Sequence, residues 1–151
     1  MKIWKTTVVL AMTLVTGLAS ASADDAILGV WNTPGGEAKV DIYRCKDKFC
    51  GKILWLKVTV YPMDDEKEFA GKPKVDRHNP DPAKRNGPII GKEILTNLAQ
   101  VDARSWNGGE IYDTKSGNTY RCKATLTDEG SLEIRGFIGV SLFGRTSVWT
   151  R

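Results

Sequence analysis

Apolar residues recur at every second position through much of the chain, and this spacing restricts the fold more than any other feature. Over residues 37–44, Ala38, Val40 and Ile42 alternate with Lys39, Asp41 and Tyr43. Over 119–127, Tyr120, Cys122, Ala124 and Leu126 fall on one face, and Thr119, Arg121, Lys123 and Thr125 on the other. Leu132 and Ile134 alternate in the same way with Glu133 and Arg135. Successive side chains of an extended strand point to opposite faces, so this pattern describes strands with one buried and one wet face. Residues 52–60 are more continuously apolar, but the run is short and rich in β-formers, so it reads as a strand too. Residues 92–101 suit either a strand or a short helix, because Ile94, Leu98 and Val101 would also share a helical face; we adopt the strand.

Turn-forming residues punctuate these runs. Pro34-Gly35-Gly36, Asn107-Gly108-Gly109, Ser116-Gly117-Asn118 and Asp128-Glu129-Gly130 each offer residues that tolerate positive φ. Short strands joined by tight turns predict an all-β, antiparallel sandwich or barrel. One segment departs from the rhythm: residues 61–88 hold five of the six prolines and many charges, and read as a long surface connection. Connections of this length are uncommon in compact domains and are often functional.

The first 23 residues read differently. MKIWK is a positively charged start, TVVLAMTLVTGLA an apolar run too short to span a bilayer, and Ala21-Ser22-Ala23 a small-residue cleavage site. The expectation is a signal peptide over 1–23, a single domain over 24–151, and a bacterial product in the periplasm or outside the cell. No second apolar run follows to hold the processed chain in a membrane. The formal charge of +4 includes Lys2 and Lys5, and the remaining basic and acidic residues are interleaved. Without a clustered basic face, nucleic acid is not an expected partner.

Cys45 and Cys50 bracket four residues where one strand gives way to the next. In an oxidising compartment such a pair reads as a disulfide that pins hairpin register, and its spacing is not the Cys-x-x-Cys of thiol oxidoreductases. Cys122 lies on an apolar strand face and reads as a buried thiol. His78, the only histidine, stands in the long loop, far from the pattern of a nucleophile and its base. Three cysteines and one histidine match no common zinc spacing, so neither metal nor cofactor is expected.

Several short motifs resemble, as an ordered set, a family of small exported bacterial proteins of unknown function with a lipocalin-like fold. They are Gly29-Val30-Trp31, Cys45 with Cys50-Gly51-Lys52-Ile53, Asn79-Pro80-Asp81-Pro82, Pro88-Ile89-Ile90-Gly91, Trp106-Asn107-Gly108-Gly109 and Ile111-Tyr112-Asp113 with Ser116-Gly117-Asn118-Thr119-Tyr120, then Gly136-Phe137-Ile138-Gly139, Gly144-Arg145 and Trp149-Thr150-Arg151. Gly87, before Pro88, stands where the family usually carries a basic residue, and Cys122 where cysteine is unusual.

The resemblance implies a small antiparallel up-and-down β-barrel of about eight strands. It also implies that Gly29 and Trp31 plug one end, that Arg145 or Arg151 packs over the indole, and that the last strand, with Trp149, pairs with the first. Gly136, Gly139 and Gly144 would let the final strands bend. A barrel of this size encloses one small ligand or is filled by its own side chains. The leading expectation is therefore a binding protein for a small apolar or amphipathic molecule. Trp55, Tyr61 and Trp106 are candidates near a rim, and Arg77, Asn79 and Arg85 candidates in the long loop. The alternatives are an envelope module that contacts a protein partner through residues 61–88, and a hydrolase built on the charged groups of that loop.

Overall fold

Eight strands form one antiparallel sheet in which sheet order and chain order coincide. The computed structural model describes residues 26–151, so the expected signal segment and its cleavage site lie outside the described residues. The strands are β1 (Gly29–Asn32), β2 (Ala38–Cys45), β3 (Lys48–Leu56), β4 (Glu93–Asp102), β5 (Ser105–Asp113), β6 (Asn118–Leu126), β7 (Leu132–Phe137) and β8 (Arg145–Trp149). The sheet curls into a nearly closed up-and-down barrel. Trp31, Val40, Ile42, Leu95, Leu98 and Leu132 are among the side chains that fill its interior.

The residues over 92–101 do form a strand, and the geometry explains their helix-like spacing. Leu95 and Leu98 both point inward although three positions apart. Between them Asn97 takes a left-handed φ of 58°. Phe49 and Gly51 of β3 pair with Leu98 and Leu95, so β4 carries one residue more than its partner, a β-bulge. A matching irregularity lies in β5, where Trp106 and Gly109 pair with Ala124 and Cys122. The turn expected at Asn107-Gly108-Gly109 is this bulge. Gly108, at φ 70°, supplies the left-handed residue that a bulge favours. The hairpin turn itself falls earlier, at Ala103 and Arg104. β3 also starts and ends before the expected 52–60.

Closure is more economical than a full ladder between the first and last strands. Asn32 and Thr150 form a single bridge: the Asn32 amide donates to the Thr150 carbonyl at 2.7 Å, and the Thr150 amide returns the bond at 3.0 Å. β1 has only four residues, so little strand is available to pair. Arg151 covers the rest of the seam. Its Nη2 donates to the carbonyls of Ala26 and Leu28 at 2.9 and 2.7 Å, and its guanidinium stacks 4.2 Å from the centre of the Trp31 ring. The Trp31 indole N–H donates in turn to the Ile27 carbonyl at 2.9 Å. Arg145 lies exposed at the start of β8.

Cys45 and Cys50 are joined in a disulfide across the β2–β3 hairpin. Cys122 is free and buried, flanked in the sheet by Gly109 and Gly136. Burial, with some help from the charge of Glu110, pushes its thiol up to about 12, the state of an inert core residue.

Candidate functional site

Because every strand is antiparallel to its neighbours, the connections alternate between the two ends of the barrel. The β2–β3, β4–β5 and β6–β7 turns lie at one end, which Phe49 and Trp106 fill with an edge-on ring pair, centroids 6.2 Å apart. The β1–β2, β3–β4, β5–β6 and β7–β8 connections lie at the other. The long connection, residues 57–92, folds over this second end and leaves a cleft of about 730 Å³ beneath it.

The connection is shaped by its own side chains. The Tyr61 hydroxyl donates to the Val75 carbonyl at 2.8 Å and accepts from the Val75 amide at 3.2 Å. The Arg77 guanidinium lies 4.5 Å from the Tyr61 ring and 4.9 Å from the Phe69 ring, and its Nη1 pairs with Asp65 at 2.7 Å. That bond, followed by one from the Glu66 amide, holds the Asp65 carboxyl below its ordinary value.

Backbone bonds fasten the ends of the connection, as from the Gly91 amide to the Ile53 carbonyl at 2.7 Å, and two further contacts anchor its middle to the barrel. The first is a fully buried carboxylate, Asp76. Its Oδ1 accepts from the Tyr112 hydroxyl of β5 at 2.7 Å, and its Oδ2 from Lys92 Nζ at 2.7 Å and Asn79 Nδ2 at 2.5 Å. Burial pushes the Asp76 carboxyl up, but the bonds from Asn79, Lys92 and Tyr112 outweigh it and hold the group below its ordinary value. Burial and the bond to Asp76 raise the Tyr112 phenol. The second anchor is steric. Gly117, at φ +75° in the β5–β6 turn, lies so close to the loop that a Cβ there would sit 1.9 Å from the His78 carbonyl oxygen.

The floor of the cleft is apolar, made by Ile53, Ile89, Ile94 and the Tyr112 ring, with Tyr61 and Val75 in the wall. Its rim is charged. Glu37 and Lys115 pair across it at 2.8 Å, which lowers the first group and raises the second. Lys57 and Lys74 also lie on the rim, and neither has an ion-pair partner among the described residues.

The expected ligand-binding residues separate under this geometry. Tyr61 and Arg77 line the cleft, with their polar groups engaged inside the loop. Trp55 is on the outer face of β3 under Lys39 Nζ, 5.7 Å away, and does not reach the cleft. Trp106 is not at the rim but in the core at the far end, because the β5 bulge turns it inward against Phe49. Asn79 is buried, bonded to Asp76 and to the Asp81 amide. Arg85 donates Nε to the Asn79 carbonyl at 2.8 Å and borders a separate groove of about 410 Å³ with Phe69 and His78. The floor residues Ile89 and Ile94 and the rim lysines escaped the reading of the sequence. The prolines around 61–88 marked the connection, but nothing in them shows that it folds back over the barrel.

Residues 29–151 match the model of a family described as an uncharacterised protein conserved in bacteria (DUF2147). Among solved structures, the fold is similar to that of protein HP1028 from the human pathogen Helicobacter pylori, described as belonging to the lipocalin family. The TM-score is 0.68 at 25% identity, over 83% of this chain and 82% of that one. No curated protein matches the chain. Among the described residues no helix is long and apolar enough to cross a membrane, and no group of acidic, histidine or cysteine side chains is arranged to hold a metal.

Proposed function

The chain belongs to the bacterial DUF2147 family, and from that premise we propose that it is an exported binding protein that holds a small, partly apolar molecule in the mouth of its barrel. The observation that carries this reading is the cleft. Its volume of about 730 Å³ falls in the range of small-molecule sites. Its isoleucine floor suits an apolar body, and the unpaired Lys57 and Lys74 suit a polar or anionic end. The lipocalin-like fold supports the same reading. A disulfide suits an oxidising compartment, which supports a periplasmic or extracellular site of action.

A protein-contact role for residues 61–88 draws less support. Arg77, Asn79 and Arg85 direct their polar groups at the loop itself. Lys92 and Tyr112, titratable groups that converge on Asp76, are likewise engaged with that carboxylate under the loop.

Native mass spectrometry of the protein purified under mild conditions from its own host tests the proposal. A reproducible excess mass that is lost on denaturation is the expected result. A bare mass from the host, together with no uptake of any amphipathic probe, would defeat it.

A further inference from the structure

The β7–β8 connection presents an unusual surface. Ile138, Val140, Leu142 and Phe143 are exposed to 76%, 60%, 77% and 81%. Four large apolar side chains on one short loop are not the scattered single exposures of an ordinary surface. The loop is also held in shape. Arg135 reaches under it, donating Nε to the Ser141 carbonyl at 2.7 Å, Nη2 to the Leu142 carbonyl at 3.0 Å and Nη1 to the Thr146 hydroxyl at 2.9 Å. Gly139 turns the chain at φ +71°, and a Cβ on Gly144 would meet the Gly136 carbonyl oxygen at 2.5 Å. The pinned backbone keeps these side chains facing outward, where they cannot collapse onto the barrel.

The charges on the two strands that carry this tip are positive near it. Residues 134–147 contain Arg135 and Arg145 and no Asp or Glu. Arg145 follows the tip directly, and on the adjacent strand Arg121, which stands opposite Glu110 of β5, stacks 5.6 Å from the Phe137 ring at the base of the loop. An apolar tip flanked by cations complements a bilayer that carries anionic headgroups, since the side chains can enter the acyl boundary while the guanidiniums remain among the phosphates. A protein partner fits less well: a stable protein contact takes about 20–30 residues from each side, and the tip offers four.

We infer that the 138–143 loop is a docking tip that seats the mouth of the barrel on an anionic lipid surface. The tip projects from the same end as the cleft, so docking brings the cleft opening to the bilayer. The inference goes beyond the binding reading and does not depend on the cleft being occupied.

The test is flotation of the purified protein with vesicles of phosphatidylglycerol and phosphatidylethanolamine, beside vesicles of phosphatidylcholine alone. The wild type should float with the first and stay behind with the second. The double substitution Leu142→Ser, Phe143→Ser should lower the bound fraction at least tenfold. Because both side chains are exposed, it should leave the melting temperature unchanged. Arg145→Gln should weaken binding severalfold and flatten its dependence on salt. Failure of the wild type to float with anionic vesicles overturns the inference, as does equal binding by the double variant. So does a wild-type dimer that the double variant lacks, with no lipid binding, which would assign the tip to a second copy of the chain. None of these outcomes bears on whether the cleft holds a ligand, which the mass measurement reads separately.

Discussion

The guanidinium of Arg151 lies 4.2 Å from the centre of the Trp31 ring and bonds two carbonyls, those of Ala26 and Leu28, on the segment that leads into β1. One side chain thus ties the last strand to the first where the backbone supplies a single bridge. Arg151→Ala should cost about 2 kcal/mol, from the lost cation–π contact and two charge-assisted bonds. Removal of residues 149–151 should cost several kcal/mol, because Trp149 leaves the core as well. Urea titration followed by far-UV circular dichroism reads both values. A truncated protein with the wild-type midpoint would show that the seam contributes nothing to stability.

Asp76 predicts a dependence on pH with a definite sign. Its carboxyl is held below 3.8 in the fold and returns to about that value when the chain unfolds, so the unfolded state binds the proton more readily. The contribution is complete above the unfolded value and declines as pH falls through the folded one. Asp76→Asn should cost about 3 kcal/mol near neutral pH by leaving Lys92 facing an uncharged amide. The variant's stability should also fall less steeply than the wild type's below pH 4. Parallel acid profiles for the two proteins would remove Asp76 as the anchor of the loop.

Gly117 tests the same anchor by shape. A methyl at this position meets the His78 carbonyl at 1.9 Å and strains a left-handed residue at φ +75°. Gly117→Ala should cost about 2–3 kcal/mol. The loss should concentrate in the connection, so limited proteolysis should cut within 61–88 well before the wild type is cut there. Loss of stability with no change in the cleavage pattern would place the strain in the turn alone.

The cleft predicts two separable effects on binding. Ile94→Trp fills the apolar floor and should lower uptake of an amphipathic fluorescent probe about tenfold. Lys57→Gln with Lys74→Gln leaves the floor intact, and should weaken anionic probes severalfold while sparing neutral ones. Probe titration by fluorescence reads both. Equal affinity of all three proteins for an anionic probe would put the probe outside the cleft.

The alternation of Val40, Ile42, Cys122, Ala124, Leu132 and Ile134 was legible as strand because burial on one face is a local property of each segment. Asn97 and Gly108 were harder to place. Each bulge inserts one residue, so the period slips from two to three and imitates a helix in β4 or a turn in β5. Whether Arg145 or Arg151 stacks on Trp31 depends on how the barrel closes, which no local window contains. The cleft was the least legible part. Ile94 read as an apolar position of its strand and Ile89 only as part of a family motif, and they form a floor because Asp76 and Gly117 hold a charged loop above them.

The seam has a consequence for the order of folding. Each hairpin from β1 to β8 pairs neighbours in sequence, so seven of the contacts that build the sheet can form as successive strands emerge from the ribosome. The bridge between Asn32 and Thr150 joins residues 118 apart, so it can form only after all eight strands have been made. The sheet therefore has no closed seam until Thr150 and Arg151 have been made. Closure is thus the last of the sheet's pairings to become possible, and a chain threaded through a membrane as it is made would complete its barrel only on the far side.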